Sequence, residues 1–149
     1  MISFEDKVAI VTGSSRGIGE AIAKRMAAAG AAVVICSRKL PDCEKAVADI
    51  VAEGGEAFAV SCNIADKESL EALVSATVAK YGRLDTVVCN AAVNPHYGSM
   101  SDISDEAYNK ILDAKVRGTH WLCQLAKPEL QQTGGSVVLL SSVTAFRGS

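Results

Sequence analysis

The chain has 149 residues, 49% of them apolar and 21% charged, with a formal net charge of −2. That is the size and composition of one globular domain spanning 1–149, long enough to bury about 68–70% of its unfolded surface, and not those of a disordered chain. With no run of basic residues and no apolar stretch of membrane-spanning length, neither nucleic acid nor a membrane is an expected partner.

The first residues, Met1 to Lys7, have neither a basic region nor an apolar core and do not read as a secretion signal. Lys7 to Val11 is an apolar run and predicts the first strand. From Ile18, apolar or long residues recur at Ala21, Ile22, Arg25, Met26 and Ala29, which is helical spacing, and Gly30 is a natural stop. Ala32 to Cys36 predicts a second strand, covered on both faces because it is apolar throughout. Pro41, tolerated in a first helical turn, opens the next helix. Its inner stripe is Ala46, Val47, Ile50 and Val51, and Gly54-Gly55 ends it.

Ala57 to Ser61 predicts a third strand. Asp66 has the character of an N-cap. Leu70, Leu73, Val74, Thr77, Val78 and Tyr81 then form one helix face, closed by Gly82. Thr86 to Cys89 predicts a fourth strand. Residues Asn90 to Ile103 form the longest irregular stretch, the kind of loop that often carries function. Ser104 caps a long helix, with Ile103 and Tyr108 at the positions of a hydrophobic staple. That helix extends toward Gln132, with Pro128 expected to bend or end it. After the turn Thr133-Gly134-Gly135, Ser136 to Leu140 predicts a fifth strand. Alternating strands and helices predict a three-layer α/β/α sandwich around a doubly wound parallel sheet.

Five cysteines, Cys36, Cys43, Cys62, Cys89 and Cys123, are odd in number and form no Cys-x-x-Cys pair. They read as buried free thiols in a reducing cytoplasm, not as disulfides or metal ligands. His96 and His120 lie far apart in sequence, so no metal site is expected.

The stretch with chemical content is Thr12-Gly13-Ser14-Ser15-Arg16-Gly17-Ile18-Gly19, between the first strand and its helix. Glycines there let the turn visit backbone angles that a β-carbon disfavours. They also let a diphosphate reach the N–H groups of the first helical turn, where the helix dipole favours negative charge. The end of the second strand is where a doubly wound domain meets the adenosine ribose. A carboxylate there would bind the free 2′-hydroxyl and repel a 2′-phosphate. This chain has Ser37-Arg38 instead. A guanidinium donates paired, charge-assisted hydrogen bonds to phosphate, and Arg16 offers a second positive charge, so NADP(H) is the expected cofactor.

The octet resembles the Thr-Gly-x-x-x-Gly-Ile-Gly of the short-chain dehydrogenase/reductase family. Asn90-Ala91-Ala92 stands where that family has Asn-Ala-Gly, and Ser141-Ser142 where it has its catalytic serine. The run from Asn90 to Pro95 is similar to a carbonyl-reductase branch. The resemblance extends from about Asp6 to the end of the chain. It implies a Rossmann-type sheet of strand order 3-2-1-4-5 and hydride transfer between NADP(H) and a small-molecule alcohol, ketone or aldehyde. By the same resemblance the cofactor site comprises Thr12, Gly13, Ser15, Arg16, Gly17, Ile18, Gly19, Arg38, Asn63, Ile64, Asn90, Ala91 and Ala92. Asn63 stands for the family's adenine-binding aspartate and also suits a turn. Asn90 stands for the asparagine that ties the central strands together. Ser142 is the implied catalytic serine.

Three departures stand beside the resemblance. Ala92 replaces a glycine. Lys115 replaces the family's relay asparagine and, being donor-only, presents no carbonyl. The Tyr-x-x-x-Lys pair that supplies the proton does not occur: the residues four places after Tyr81, Tyr97 and Tyr108 are Asp85, Ser101 and Leu112. In the family that pair would fall just past Ser149, so the resemblance implies a C-terminally incomplete fold and impaired or absent turnover. Two alternatives stay open: a non-catalytic nucleotide-binding or assembly protein, and a fragment of a longer active reductase. An uncovered fifth strand, and a long helix of the kind that pairs in family dimers, make a homo-oligomer the expected state.

Overall fold

The computed structural model describes residues 2–147. Five strands, β1 (Val8–Thr12), β2 (Ala32–Ser37), β3 (Glu56–Ser61), β4 (Thr86–Cys89) and β5 (Ser136–Leu139), form one sheet in the order β3-β2-β1-β4-β5. Every pairing is parallel. The order reverses direction beside β1, which places a crevice at the carboxyl ends of β1 and β4.

Strand periodicity splits the core in two. Ile10, Val34 and Val87 point to one face, where they meet Leu70 and Leu73 of α3 (Lys67–Tyr81) and Leu122 of α5 (Gly118–Thr133). Their neighbours Val11, Val33, Ile35 and Val88 point to the other. There they meet Ala23 and Ala27 of α1 (Gly17–Ala28) and Cys43, Ala46 and Ile50 of α2 (Leu40–Ala52). The expected α3 face is realised, with Leu70, Leu73, Val74 and Thr77 buried and the Asp66 side chain accepting from the Glu68 N–H.

The inner face of α1 is only partly the one its periodicity predicts: Ile22 and Met26 pack against the core, but the centre of the face is elsewhere. Gly19, Ala23 and Ala27 are buried, whereas Ile18 is 68% exposed and Ala21 lies on the surface. Size decides this. Small residues let the helix approach the sheet closely, and a larger residue at Gly19 would run into the Gly13 carbonyl. On α2 the far end likewise turns outward, with Val51 55% exposed.

The long C-terminal helix does not break at Pro128. It divides earlier, into α4 (Asp105–Leu112), a π-helical turn at Asp113–Arg117, and α5, which carries Pro128 within it. Pro128 removes one backbone donor on an exposed stretch, where the freed carbonyl is open to solvent and the helix continues past it. The loop before α4 also contains a short 3₁₀ turn, Met100–Asp102.

Asp85 fastens the amino ends of three strands. Its carboxylate accepts from the Val8 N–H at 2.9 Å and from Arg83 Nε and Nη2 at 2.8 and 2.7 Å. Its own backbone bonds to Val8 and Ser136, so β1, β4 and β5 meet there. The outermost strand β5 is exposed along its length, with Val138 48% and Leu139 61% accessible.

Candidate functional site

The turn after β1 is built from hydroxyls and glycines. Thr12 Oγ1 accepts from the N–H groups of Asn90 and Ala91, both at 3.0 Å. Asn90 Nδ2 donates to the carbonyls of Thr12 at 2.9 Å and Gly13 at 3.2 Å. Asn90 therefore ties the end of β4 to the glycine turn. Its amide also fills the space in front of Gly19, where an added Cβ would lie 2.5 Å from Nδ2. Gly13 and Gly17 have φ of 65° and 60°, the left-handed region that side chains rarely adopt.

The first turn of α1 points outward. Arg16 is its N-cap, and no side chain caps it. Nothing lies within 4 Å of the position a Cβ would take on Gly17. Uncapped N–H groups, open space and the positive end of a helix dipole are what a diphosphate needs, so the residues fit a dinucleotide. Ser15 is half-buried beside this turn, and Arg16 and Ile18 are exposed.

Arg38 follows β2 and is exposed, with no ion pair to any described residue. Its carbonyl accepts from Ser61 Oγ at 3.2 Å, which fixes the backbone between the β2 and β3 ends. Beyond β3, Asn63 is exposed and Ile64 buried. Asn63 Oδ1 accepts from the Ala65 N–H at 3.1 Å, so the turn-forming use of this side chain is present. Ala91 is half-buried and packs against the core, and Ala92 is exposed.

Ser142 lies two residues beyond Leu140, whose N–H donates to the Cys89 carbonyl at 3.2 Å. This continues the β4 to β5 alignment toward the crevice. Ser142 is exposed, caps the 3₁₀ turn Val143–Ala145 and sits 2.8 Å from Thr144 Oγ1. Tyr97, a tyrosine of the long loop, is 87% exposed. Lys115 lies within the π turn and is half-buried.

Two residues that motif reading passed over also shape the site. Ser14 is fully buried; its hydroxyl donates to the Val11 carbonyl and accepts from the Cys36 N–H at 3.1 Å. Nothing in the sequence separates it from the neighbouring Ser15. Gly118 packs against the Ile64 carbonyl, where a Cβ would not fit. A glycine inside a helical pattern was the available signal. Below the turn, burial holds the Cys36 thiol well above its usual range, so it stays protonated and inert.

Comparison with known proteins agrees with this geometry. The family model for short chain dehydrogenase matches residues 7–149. The chain is 44% identical over 144 residues to tropinone reductase-like 3 of Erythroxylum coca, covering 97% of this chain and 55% of that protein. It is 42% identical over 145 residues to human dehydrogenase/reductase SDR family member 4, covering 97% and 52%. The chain thus spans about half the length of the curated relatives it matches. Among solved structures, a 7α-hydroxysteroid dehydrogenase complexed with NADH and 7-oxo glycochenodeoxycholic acid superposes with a TM-score of 0.93 at 30% identity, over 99% of this chain and 58% of that one. A metagenomic short-chain oxidoreductase in complex with NADP gives 0.87 at 29% identity, over 93% and 63%. With its parallel sheet, glycine turn and strand-tying asparagine, the chain belongs to the short-chain dehydrogenase/reductase family.

Proposed function

We propose that these residues form the NADP(H)-binding part of a reductase that interconverts a small alcohol and a ketone or aldehyde. The observation that carries the reading is Arg38, an exposed guanidinium free of ion pairs among the described residues, at the end of β2. It stands where the adenosine ribose meets a doubly wound sheet, and no carboxylate takes that place. The Gly13 to Gly19 turn would hold the diphosphate, with Thr12, Ser15, Arg16 and Ile18 around it. Asn63, Ile64, Asn90, Ala91 and Ala92 would border the adenine and ribose groups. The bound cofactor would supply the hydride, and Ser142 would polarise the substrate oxygen.

Fluorescence titration with NADPH and NADH tests the reading. NADPH binds more tightly, and Arg38→Asp reverses the order. Equal affinity in the wild type removes Arg38 from the site.

A second reading is supported by the missing acid. No Tyr-x-x-x-Lys pair occurs in the 149 residues, and Lys115 stands where the family has its relay asparagine. A positioned acid contributes about 10²–10⁴-fold to such a step. The 149-residue chain therefore binds nucleotide with background turnover only. A ketone screen with NADPH tests this. Robust turnover that disappears in Ser142→Ala would overturn it and make Tyr97 the first acid to test.

A further inference from the structure

Among the described residues, two lysines of the C-terminal helices form no ion pair, Lys127, which is exposed, and Lys115, which is half-buried. Lys110 Nζ lies 2.7 Å from Glu106, and Arg117 Nη1 lies 2.6 Å from Asp113. Lys115 forms no ion pair with any described residue, although it is half-buried. Its backbone belongs to the π turn Asp113–Arg117, a wide helical turn of a kind frequent at functional sites.

One contact and the burial of a neighbouring residue place that turn at the carboxyl edge of the sheet. Gly118, just after it, presses on the Ile64 carbonyl in the segment that leaves β3. Ala114, just before Lys115, is buried in the cluster that contains Cys89, the last residue of β4. Burial pushes the Cys89 thiol up to about 12, and the Lys115 charge pulls against that shift, so the ammonium acts near the end of β4.

The rest of the crevice fixes which part of a dinucleotide lies there. Arg38 and Asn63 stand at the ends of β2 and β3, and the glycine turn stands at β1. With adenosine over β2 and β3 and the diphosphate over β1, the remaining nucleotide runs across β4. Its ribose hydroxyls and phosphate oxygens accept hydrogen bonds, and an ammonium offers three donors and no acceptor.

We propose that Lys115 is a cofactor-binding residue that holds the nicotinamide half of NADP(H), complementing Arg38 at the adenosine half. The assignment rests on the NADP(H) reading above. It gives the lysine a role that the asparagine it replaces, uncharged and shorter, does not fill.

Calorimetric titration of the full chain with NADPH and with 2′,5′-ADP separates the two halves. Lys115→Met is expected to weaken NADPH about tenfold and to leave 2′,5′-ADP within about twofold, a tenfold change being about 1.4 kcal/mol. Lys115→Arg restores most of the NADPH affinity, and Arg38→Ala weakens both ligands. Circular dichroism melts confirm that each variant is folded. Unchanged NADPH binding in folded Lys115→Met overturns the proposal. So does an equal loss for both ligands, which would make the effect one of overall charge. A wild-type chain that binds neither ligand overturns the NADP(H) reading and this assignment together, whereas binding that is indifferent to Lys115 overturns the assignment alone.

Discussion

Replacing Asp85 by asparagine is expected to loosen the junction of β1, β4 and β5. The carboxylate is 6% exposed and holds the Val8 N–H, the Arg83 fork and, at 3.6 Å, Lys7. Asparagine keeps the volume and an acceptor for Val8 but loses the charge. Hydrogen bonds to charged groups contribute about 1.5–3 kcal/mol each. The Arg83 side chain is 39% exposed, so solvent screening reduces that figure. The net loss for Asp85→Asn is then about 1–3 kcal/mol. Asp85→Ala also strands the Val8 N–H, adding about 1–3 kcal/mol more. For a chain of this size, each kcal/mol lowers Tm by about 2–4 °C.

The loss carries a pH signature. Burial works to raise the Asp85 pKa, but the Arg83 hydrogen bonds, the Val8 N–H and the nearby charges of Arg83 and Lys7 outweigh it and hold the carboxyl below its ordinary value. A carboxyl with a depressed folded-state pKa adds stability above its unfolded value of about 3.9, and that stability fades as pH falls through the folded value. Urea melts of wild type and Asp85→Asn should therefore differ most near neutral pH and converge in acid. Equal stability at neutral pH, or a gap that persists undiminished in acid, would refute this account of the junction.

Other outcomes follow from the same geometry. Gly19→Ala should cost about 1–3 kcal/mol through overpacking against the Gly13 carbonyl and Asn90, and should weaken NADPH binding. Gly17→Ala meets no atom but keeps a φ of 60°, so about 1–2 kcal/mol of backbone strain is expected, read by the same urea melts. The exposed β5 edge, with Val138 and Leu139 facing water, should drive self-association on a sizing column with light scattering. Leu139→Lys should reduce that association, and a monodisperse wild-type monomer that melts cooperatively would count against it.

Hydrophobic period and punctuation are local properties, and they were enough to read the strands, the order of elements and the glycine turn from the sequence. Val33 to Cys36 is apolar throughout because the strand is covered on both faces, and Gly82 ends α3 with a φ of 72° that few side chains adopt. The family motif added the strand order and the role of Asn90. The tertiary structure decided what depends on close approach. It turned Ile18 outward because the buried line of α1 is taken by Gly19, Ala23 and Ala27, small residues that allow a close approach to the sheet. It set the break in the long helix at Asp113–Arg117, beside the contact of Gly118 with Ile64, and not at Pro128, where the freed carbonyl is open to solvent. Spacing accounts for the ion pairs of Lys110 with Glu106 and Arg117 with Asp113. It accounts equally for the lack of one at Lys115 among the described residues, since its neighbours four places away are Ile111 and Thr119. What the tertiary structure added is that Lys115 is half-buried, in a π turn beside the contact of Gly118 with Ile64.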